Sequence, residues 1–405
     1  MKISVVCAPQ TFGCNTGMFS VDLAAWYFLD QHFPEADVQY LTLYPHKCDF
    51  GAVPFRYEPR HENMQRLRDS DLILYWGDFQ HTLGYRNAVV NQLVEQGICD
   101  SREEALERVR NFLFLADSGP ELLSRTVLYG GTLLFNQADS NGDEVYAGDL
   151  RRLLTSSRGV WVREPFSAFY VNQIQQQNER CAHGTDAAQL LRKDFVDHCG
   201  LESVQPAGRR QRRLGVFIGR SHLEANTTSA FLTAITDRLQ AEQVWLNWGK
   251  PPFFMDRKND FMAGLPNMEK VIPTRAAPSP PETLAALLDL DWLISDTYHA
   301  CVNAWNFGIP AICLIDNSHT PLAVNSGSGL SGRDKRVTFY WTYNAAPFLL
   351  YSSDLNNDAG LYKKAADMVN VLTDQLLISQ IGAQMSQHVN LSEKSLLRTL
   401  RQISL

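Results

Sequence analysis

The sequence predicts an α/β protein of two Rossmann-like domains whose parallel sheets face a central cleft, and three observations predict it. Short apolar runs that end in or near Gly, Asp or Asn recur along the 405 residues, and helical patterns follow them. The series is interrupted by a polar stretch at 200–213 and then restarts. The chain is also longer than one hydrophobic core usually supports, so the interruption reads as a domain boundary, giving domains 1–205 and 206–405.

The first half contributes strands at 3–8, 38–43, 72–75, 127–129 and 160–162, and the second half at 214–218, 244–246, 271–272, 293–294 and 311–315. Amphipathic helical patterns at 361–378 and 392–403 close the chain and are expected to pack back across the domains. Composition agrees with a globular protein, at 45% hydrophobic and 20% charged residues. No apolar stretch approaches the roughly 20 residues that span a bilayer. The apolar start stops at Pro9 and enters a glycine-containing turn, as a first core strand does, so the expected compartment is the cytoplasm.

Eight cysteines without a CxxC pair read as reduced thiols, and ten histidines without an HExxH pattern give no reason to expect a metal. A net charge of -7 argues against nucleic acid as a partner. The basic run Arg209, Arg210, Arg212 and Arg213 reads as a solvated linker.

The most informative stretch runs from Leu293 to Leu314: strand, tight turn, short helix, glycine stop and second strand. Ser295, Asp296 and Thr297 are residue types that cap helix N-termini. Cys301, Ala304 and Trp305 share one helical face, Gly308 ends the helix and Pro310 opens the next segment. His299 therefore falls in the first helical turn, beside backbone N–H groups that attract anions. The carboxyl end of a strand in an open parallel sheet is where ligands bind, which makes Asp296, Thr297 and His299 site candidates.

Other strand ends point to the same cleft. The turn Gly13-Cys14-Asn15-Thr16-Gly17 follows the first strand and precedes a helix expected near Ser20, and it lacks the full GxGxxG dinucleotide fingerprint. Asn15 there, and Asp78 after Trp76-Gly77, are candidates to line the cleft, as is the Gly130-Gly131-Thr132 turn. Arg163 stands where a strand runs into a helix; it either reaches an anion or pairs with an acid, and such junctions favour the ion pair. Arg220 and His222 close the first strand of the second half, where an arginine fork suits a phosphate or carboxylate. A loop rich in Gly and Ser begins at Ser326 and ends in Arg333, Lys335 and Arg336; it is either a mobile surface loop or a cover for a phosphorylated ligand.

Together these residues resemble the polysaccharide pyruvyl transferase family over most of the chain. The resemblance rests on the Gly13–Gly17 turn, the Trp76-Gly77 strand end and Val160-Trp-Val-Arg-Glu-Pro-Phe-Ser167, which is similar to the family's V-R-D/E-x-x-S element. It continues in Thr185-Asp186-Ala187, similar to its D-P-A element, and in Ser279-Pro-Pro-Glu282. It ends with the stretch around His299 and Asn306-Phe-Gly-Ile-Pro-Ala311.

The resemblance implies a glycosyltransferase-B-like fold, with the acceptor on the N-terminal domain and the donor on the C-terminal one. It also implies transfer of a pyruvyl unit from phosphoenolpyruvate, a co-substrate rather than a cofactor, onto a sugar or glycoconjugate as a cyclic ketal. In that reading His299 is the acid and Arg220 an anion clamp, with Arg275, Arg333 and Lys335 as further cations. The family motif is commonly R-x-H, and here Thr297 stands at the arginine's position, which removes a charge-assisted contact to a trianionic donor.

Two other functions fit the same residues. One is a glycosyltransferase using a nucleotide sugar in the second-domain crevice, with Thr297, Glu282 and the glycine-rich loop as its support. The other is a non-catalytic sugar- or anion-binding member that kept the cleft, supported by Thr297 alone.

Overall fold

The computed structural model describes residues 1–7, 15–43, 55–59, 64–77, 83–134, 143–175, 181–201, 211–219, 225–248, 279–316, 334–355 and 358–403. The strand expected at 271–272 and the loop from Ser326 to Arg333 lie outside them.

Two parallel sheets carry the chain. The first has seven strands: β1 (Lys2–Val6), β2 (Asp37–Thr42), β3 (Tyr57–Pro59), β4 (Leu72–Trp76), β5 (Thr126–Gly131), β6 (Gly159–Val162) and β7 (Cys181–His183). They lie in the order β3-β2-β1-β4-β5-β6-β7. The second has five: β8 (Arg212–Phe217), β9 (Ala241–Trp245), β10 (Trp292–Ser295), β11 (Ala311–Ile315) and β12 (Leu349–Tyr351), in the order β12-β11-β10-β8-β9. The two sheets are built from separate halves of the sequence.

Alternation along the strands explains why both faces of the first sheet are covered. Ile3, Val5, Leu72, Leu74, Trp76, Val127 and Tyr129 enter one hydrophobic core, while Val6, Ile73, Tyr75 and Leu128 enter the other. The first of these cores is continuous with that of the second sheet, reaching Val216, Ile294 and Ile312. The domains therefore share buried apolar surface.

Strand order reverses between β1 and β4 in the first sheet and between β8 and β10 in the second. Such switch points open a crevice at the carboxyl edge of a sheet. The helix after β1 is Thr16–His32, starting four residues earlier than the sequence suggested, because the side chain of Asn15 caps it by accepting from the backbone N–H of Gly17 and Met18. The helix after β10 is Tyr298–Asn306. These two helices meet, so the switch points of the two sheets face each other.

The chain closes with helices Asp358–Thr373 and Gln375–Ile403. Asp374 separates them and caps the second, its Oδ1 accepting from Leu377 N at 3.0 Å. The 29-residue terminal helix buries Ile381, Met385, Val389, Ser392, Leu396 and Leu400, spacings that define one face. That face returns to the first domain: Ser392 Oγ bonds the Tyr129 hydroxyl at 2.9 Å, Ser395 Oγ accepts from Trp161 Nε1 at 3.3 Å, and Glu393 pairs with Arg192 at 2.7 Å. His388 and Gln384 meanwhile reach Tyr343 and Asn344 of the second domain. The helix thus straps the two halves together.

The end of the basic run is not a solvated linker. Arg212 and Arg213 belong to β8, where Arg213 pairs with Glu242 and Asp289, and Arg212 lies over the Trp292 ring at 5.6 Å. Acids on the neighbouring segments draw Arg213 into the sheet, while Arg212 stays exposed over the Trp292 ring.

Candidate active site

β10 is a buried WLIS segment, and the turn after it is fixed by short polar side chains. Asp296 Oδ1 accepts from Gly219 N at 3.1 Å and from Thr297 Oγ1 at 3.1 Å, and Asp296 N donates to Phe217 O at 3.3 Å. The carboxylate therefore ties the end of β10 to the end of β8, across the switch point. Thr297 occupies the N-cap position, buried, with its hydroxyl turned back onto Asp296. The guanidinium of Arg336 lies at the same turn, donating from Nη1 to Asp296 O at 3.2 Å while paired with Asp334.

His299 follows in the first turn of its helix and is 7% exposed. Its imidazole meets the first domain directly, because a β-carbon on Gly17 would sit 2.8 Å from Nδ1. The histidine thus packs against the last glycine of the turn after β1. Two further bonds hold the contact: Asn303 Nδ2 donates to Ser20 Oγ at 3.0 Å, and Asn306 Nδ2 donates to Leu191 O at 2.6 Å.

On its other side His299 faces Asp186. The carboxylate Oδ2 is 3.7 Å from His299 Nε2 and accepts from Arg163 Nη1 at 3.0 Å, and its Oδ1 accepts from Ala188 N at 3.0 Å. Arg163 thus makes the ion pair that the strand-to-helix junction favoured. Its guanidinium also lies over the Tyr298 ring at 4.8 Å, and Lys335 Nζ approaches the same ring at 5.1 Å. Burial is the main cause that holds the Tyr298 phenol protonated well above its ordinary range; Asp186 and Glu164 add to it and Arg163 opposes it.

Of the residues singled out from sequence, Asn15, Arg163, Asp296, Thr297, His299 and Lys335 are described. Arg163, His299 and Lys335 gather around Tyr298; Asp296 and Thr297 form the adjoining turn; and Asn15 spends its carboxamide oxygen on the helix cap. Asp78, Arg220, Arg275 and Arg333 lie outside the described residues. Glu282 is a cap as well, its Oε2 accepting from Ser279 N at 2.8 Å. Trp76, Trp245 and Trp248 are buried in the core and Trp341 is half exposed.

Sequence reasoning did not assign Asp186, Tyr298 or the contact role of Gly17. Asp186 carried a signal, since the element Thr185-Asp186-Ala187 had already been marked. No group of three or more His, Cys, Asp or Glu positioned to hold a metal ion occurs among the described residues. Nor is any helix among them long and apolar enough to cross a membrane.

Nearly the whole chain superposes on known structures. MnaA of S. aureus, solved with UDP, matches with a TM-score of 0.50 at 10% identity, covering 98% of this chain and 96% of that one. With the two parallel sheets and their facing switch points, this decides the fold. It is glycosyltransferase-B-like. UGT89C1 of Arabidopsis thaliana, complexed with UDP-L-rhamnose, matches at a TM-score of 0.48 and 12% identity, covering 100% of this chain and 99% of that one. The UDP-GlcNAc 2-epimerase of Methanocaldococcus jannaschii matches at 0.47 and 12% identity, covering 91% and 93%. No protein-family model matches the sequence, and no curated protein does.

Proposed function

We propose that this glycosyltransferase-B-like protein is a pyruvyl transferase, moving the pyruvyl unit of phosphoenolpyruvate onto two hydroxyls of a sugar or glycoconjugate. The observation that carries the proposal is the position of His299, a nearly buried imidazole at the meeting of the two switch points, with groups from both domains around it. The reaction needs a proton at the vinyl methylene, and an imidazole serves as its donor. One sugar hydroxyl adds at the donor's C2 while C3 takes the proton and becomes a methyl. The second hydroxyl then displaces phosphate. Of the two hydroxyl protons, one balances that on the methyl and the other leaves with phosphate.

The loss of the family arginine at Thr297 is answered by Arg336, whose guanidinium reaches the same turn from the next helix. That reading places Arg336 and Lys335 on the donor's charged groups, together with Arg220, Arg275 and Arg333. Arg163 serves differently, holding Asp186 beside His299.

MnaA of S. aureus carries UDP on a similar fold, so UDP is the competing ligand in the test. Thermal unfolding is measured with phosphoenolpyruvate, UDP and UDP-sugars in turn. A ligand at about 100 times its Kd adds about 2.7 kcal/mol, enough to raise Tm visibly. The proposal expects a rise with phosphoenolpyruvate; a rise with UDP or UDP-sugars alone would replace it with the nucleotide-sugar reading.

A further inference from the structure

The two ring nitrogens of His299 meet different surroundings, and both surroundings come from the other domain. Nε2 is buried, makes no hydrogen bond, and lies 3.7 Å from Asp186 Oδ2. Nδ1 lies against Gly17, where the absence of a side chain is what leaves room for the ring. We infer that Asp186 is a positioning residue: it holds the Nε2 edge of His299, so that Nδ1, on the Gly17 side, is the nitrogen that passes the proton. This rests on the proposed role of His299 and adds to it the choice of nitrogen and the residue that makes the choice.

Asp186 is built for that task. It is 2% exposed, and its two oxygens are already fixed by Arg163 Nη1 and Ala188 N, each at 3.0 Å, so the carboxylate cannot turn away. The turn that carries it is seated firmly: a β-carbon on Gly130 would sit 2.6 Å from Ala187 Cβ, so β5 and the Ala187–Leu190 turn are in direct contact. An ionised carboxylate accepts hydrogen bonds and donates none, so facing Nε2 it favours the ring form with a proton there. A carboxylate opposite one nitrogen commonly sets the tautomer and aim of an imidazole whose other nitrogen does the chemistry. The separation of 3.7 Å exceeds hydrogen-bond length, and such contacts tighten when substrate closes the site.

The histidine and its carboxylate belong to different domains. Correct aim of the imidazole therefore depends on the domains being docked as they are here, with Gly17 and Asp186 flanking the ring.

The test reads the ring nitrogens themselves and needs no substrate. The full-length protein is labelled with 15N-histidine, and two-bond 1H–15N correlation spectra are recorded at a pH where the ring is neutral. The His299 signals are assigned by their loss in His299→Gln. The expected result is an Nε2-protonated neutral ring in the wild type, with a downfield Hε2 that moves upfield or exchanges away in Asp186→Ala while Asp186→Glu keeps it. An Nδ1-protonated ring in the wild type, or an Hε2 unchanged in Asp186→Ala, would overturn the inference. If Asp186→Ala does not fold, the wild-type tautomer and the Asp186→Glu spectrum still decide. Failure of pyruvyl transfer would show in the ligand and turnover assays and leave this readout untouched.

Discussion

Gly17 shows how a single missing side chain shapes the site. A β-carbon there would lie 2.8 Å from His299 Nδ1 and 2.9 Å from His299 Cβ, closer than such atoms approach. Two effects compete in Gly17→Ala. Helix propensity favours alanine by up to about 1 kcal/mol, whereas forcing atoms into a packed site costs about 1–3 kcal/mol. Crowding wins, because the imidazole is flanked by Asp186 and held in line by the Asn303 to Ser20 bond. Urea unfolding is expected to show Gly17→Ala destabilised by about 1 kcal/mol, with turnover lost more steeply than stability. A variant as stable as the wild type, or more so, would contradict the contact.

At this scale the sequence exposed whatever is local. His299 was legible because strand, cap, first turn and glycine stop are contiguous. The gathering around it was not: Asp186, Arg163 and Gly17 come from three other segments, and only docking of the domains brings them to His299. The helix that caps itself with Asn15 was displaced by four residues in the sequence reading for a related reason, since Thr16 and Gly17 do not look helical until the cap is known.

At the scale of elements, the contact between β7 and the terminal helix makes a pH-sensitive seam. His183 of β7 and His388 of the helix pack with ring centroids 4.3 Å apart and planes tilted by 53°, and His388 Nδ1 meets the Tyr343 hydroxyl at 3.1 Å. Burial, and next the neighbouring His388, pull His183 down from 6.5 to about 4, against an opposing backbone hydrogen bond with Arg163. Burial also lowers His388, opposed by its bond to the His183 backbone. Both folded values lie below the unfolded ones, so the unfolded chain takes up protons first. Their contribution to stability is complete above about pH 6.5 and is lost as pH falls towards about 4. His183→Gln should therefore flatten the fall of the urea midpoint across that window relative to wild type. An equal slope in both proteins would show that the histidines are not held neutral by the seam.

Elements differed in how visible they were. Buried central strands such as β4 and β11 are continuous apolar runs and were legible directly. The three-residue strands β3, β7 and β12 are too short to show a period, and β3 ends in Pro59. The terminal helix was legible only at its ends, in 392–403 and in the last residues of 361–378, a pattern that belongs mostly to Asp358–Thr373 and runs across the break at Asp374; between them the buried Ile381, Met385 and Val389 are too widely spaced to reveal a face in the sequence. A 29-residue helix with one narrow apolar stripe looks like short fragments until the surface it covers is known.

For the whole molecule, the two-domain α/β architecture followed from the interrupted series of strand patterns, and the candidate site was placed at the carboxyl end of a strand, which the structure puts where strand order reverses. What sequence could not supply is how the halves meet. That meeting is made by a shared core, by the contact of the Thr16–His32 and Tyr298–Asn306 helices, and by the terminal helix that bonds Tyr129 and Trp161 on one side and Tyr343 on the other. His299, the proposed acid, sits at this junction.

The proposed protonation of phosphoenolpyruvate C3 by His299 writes a solvent hydrogen into the product, and isotope incorporation reads that hydrogen. The protein is incubated in D2O with phosphoenolpyruvate and a panel of nitrophenyl hexosides and oligosaccharides, and products are followed by mass spectrometry and NMR. The expected result is release of phosphate with formation of a sugar ketal whose methyl group carries one solvent deuteron, and loss of this product in His299→Ala. Ketal formation at an undiminished rate in His299→Ala, or sugar transfer from a UDP-sugar with no ketal formed, would contradict it.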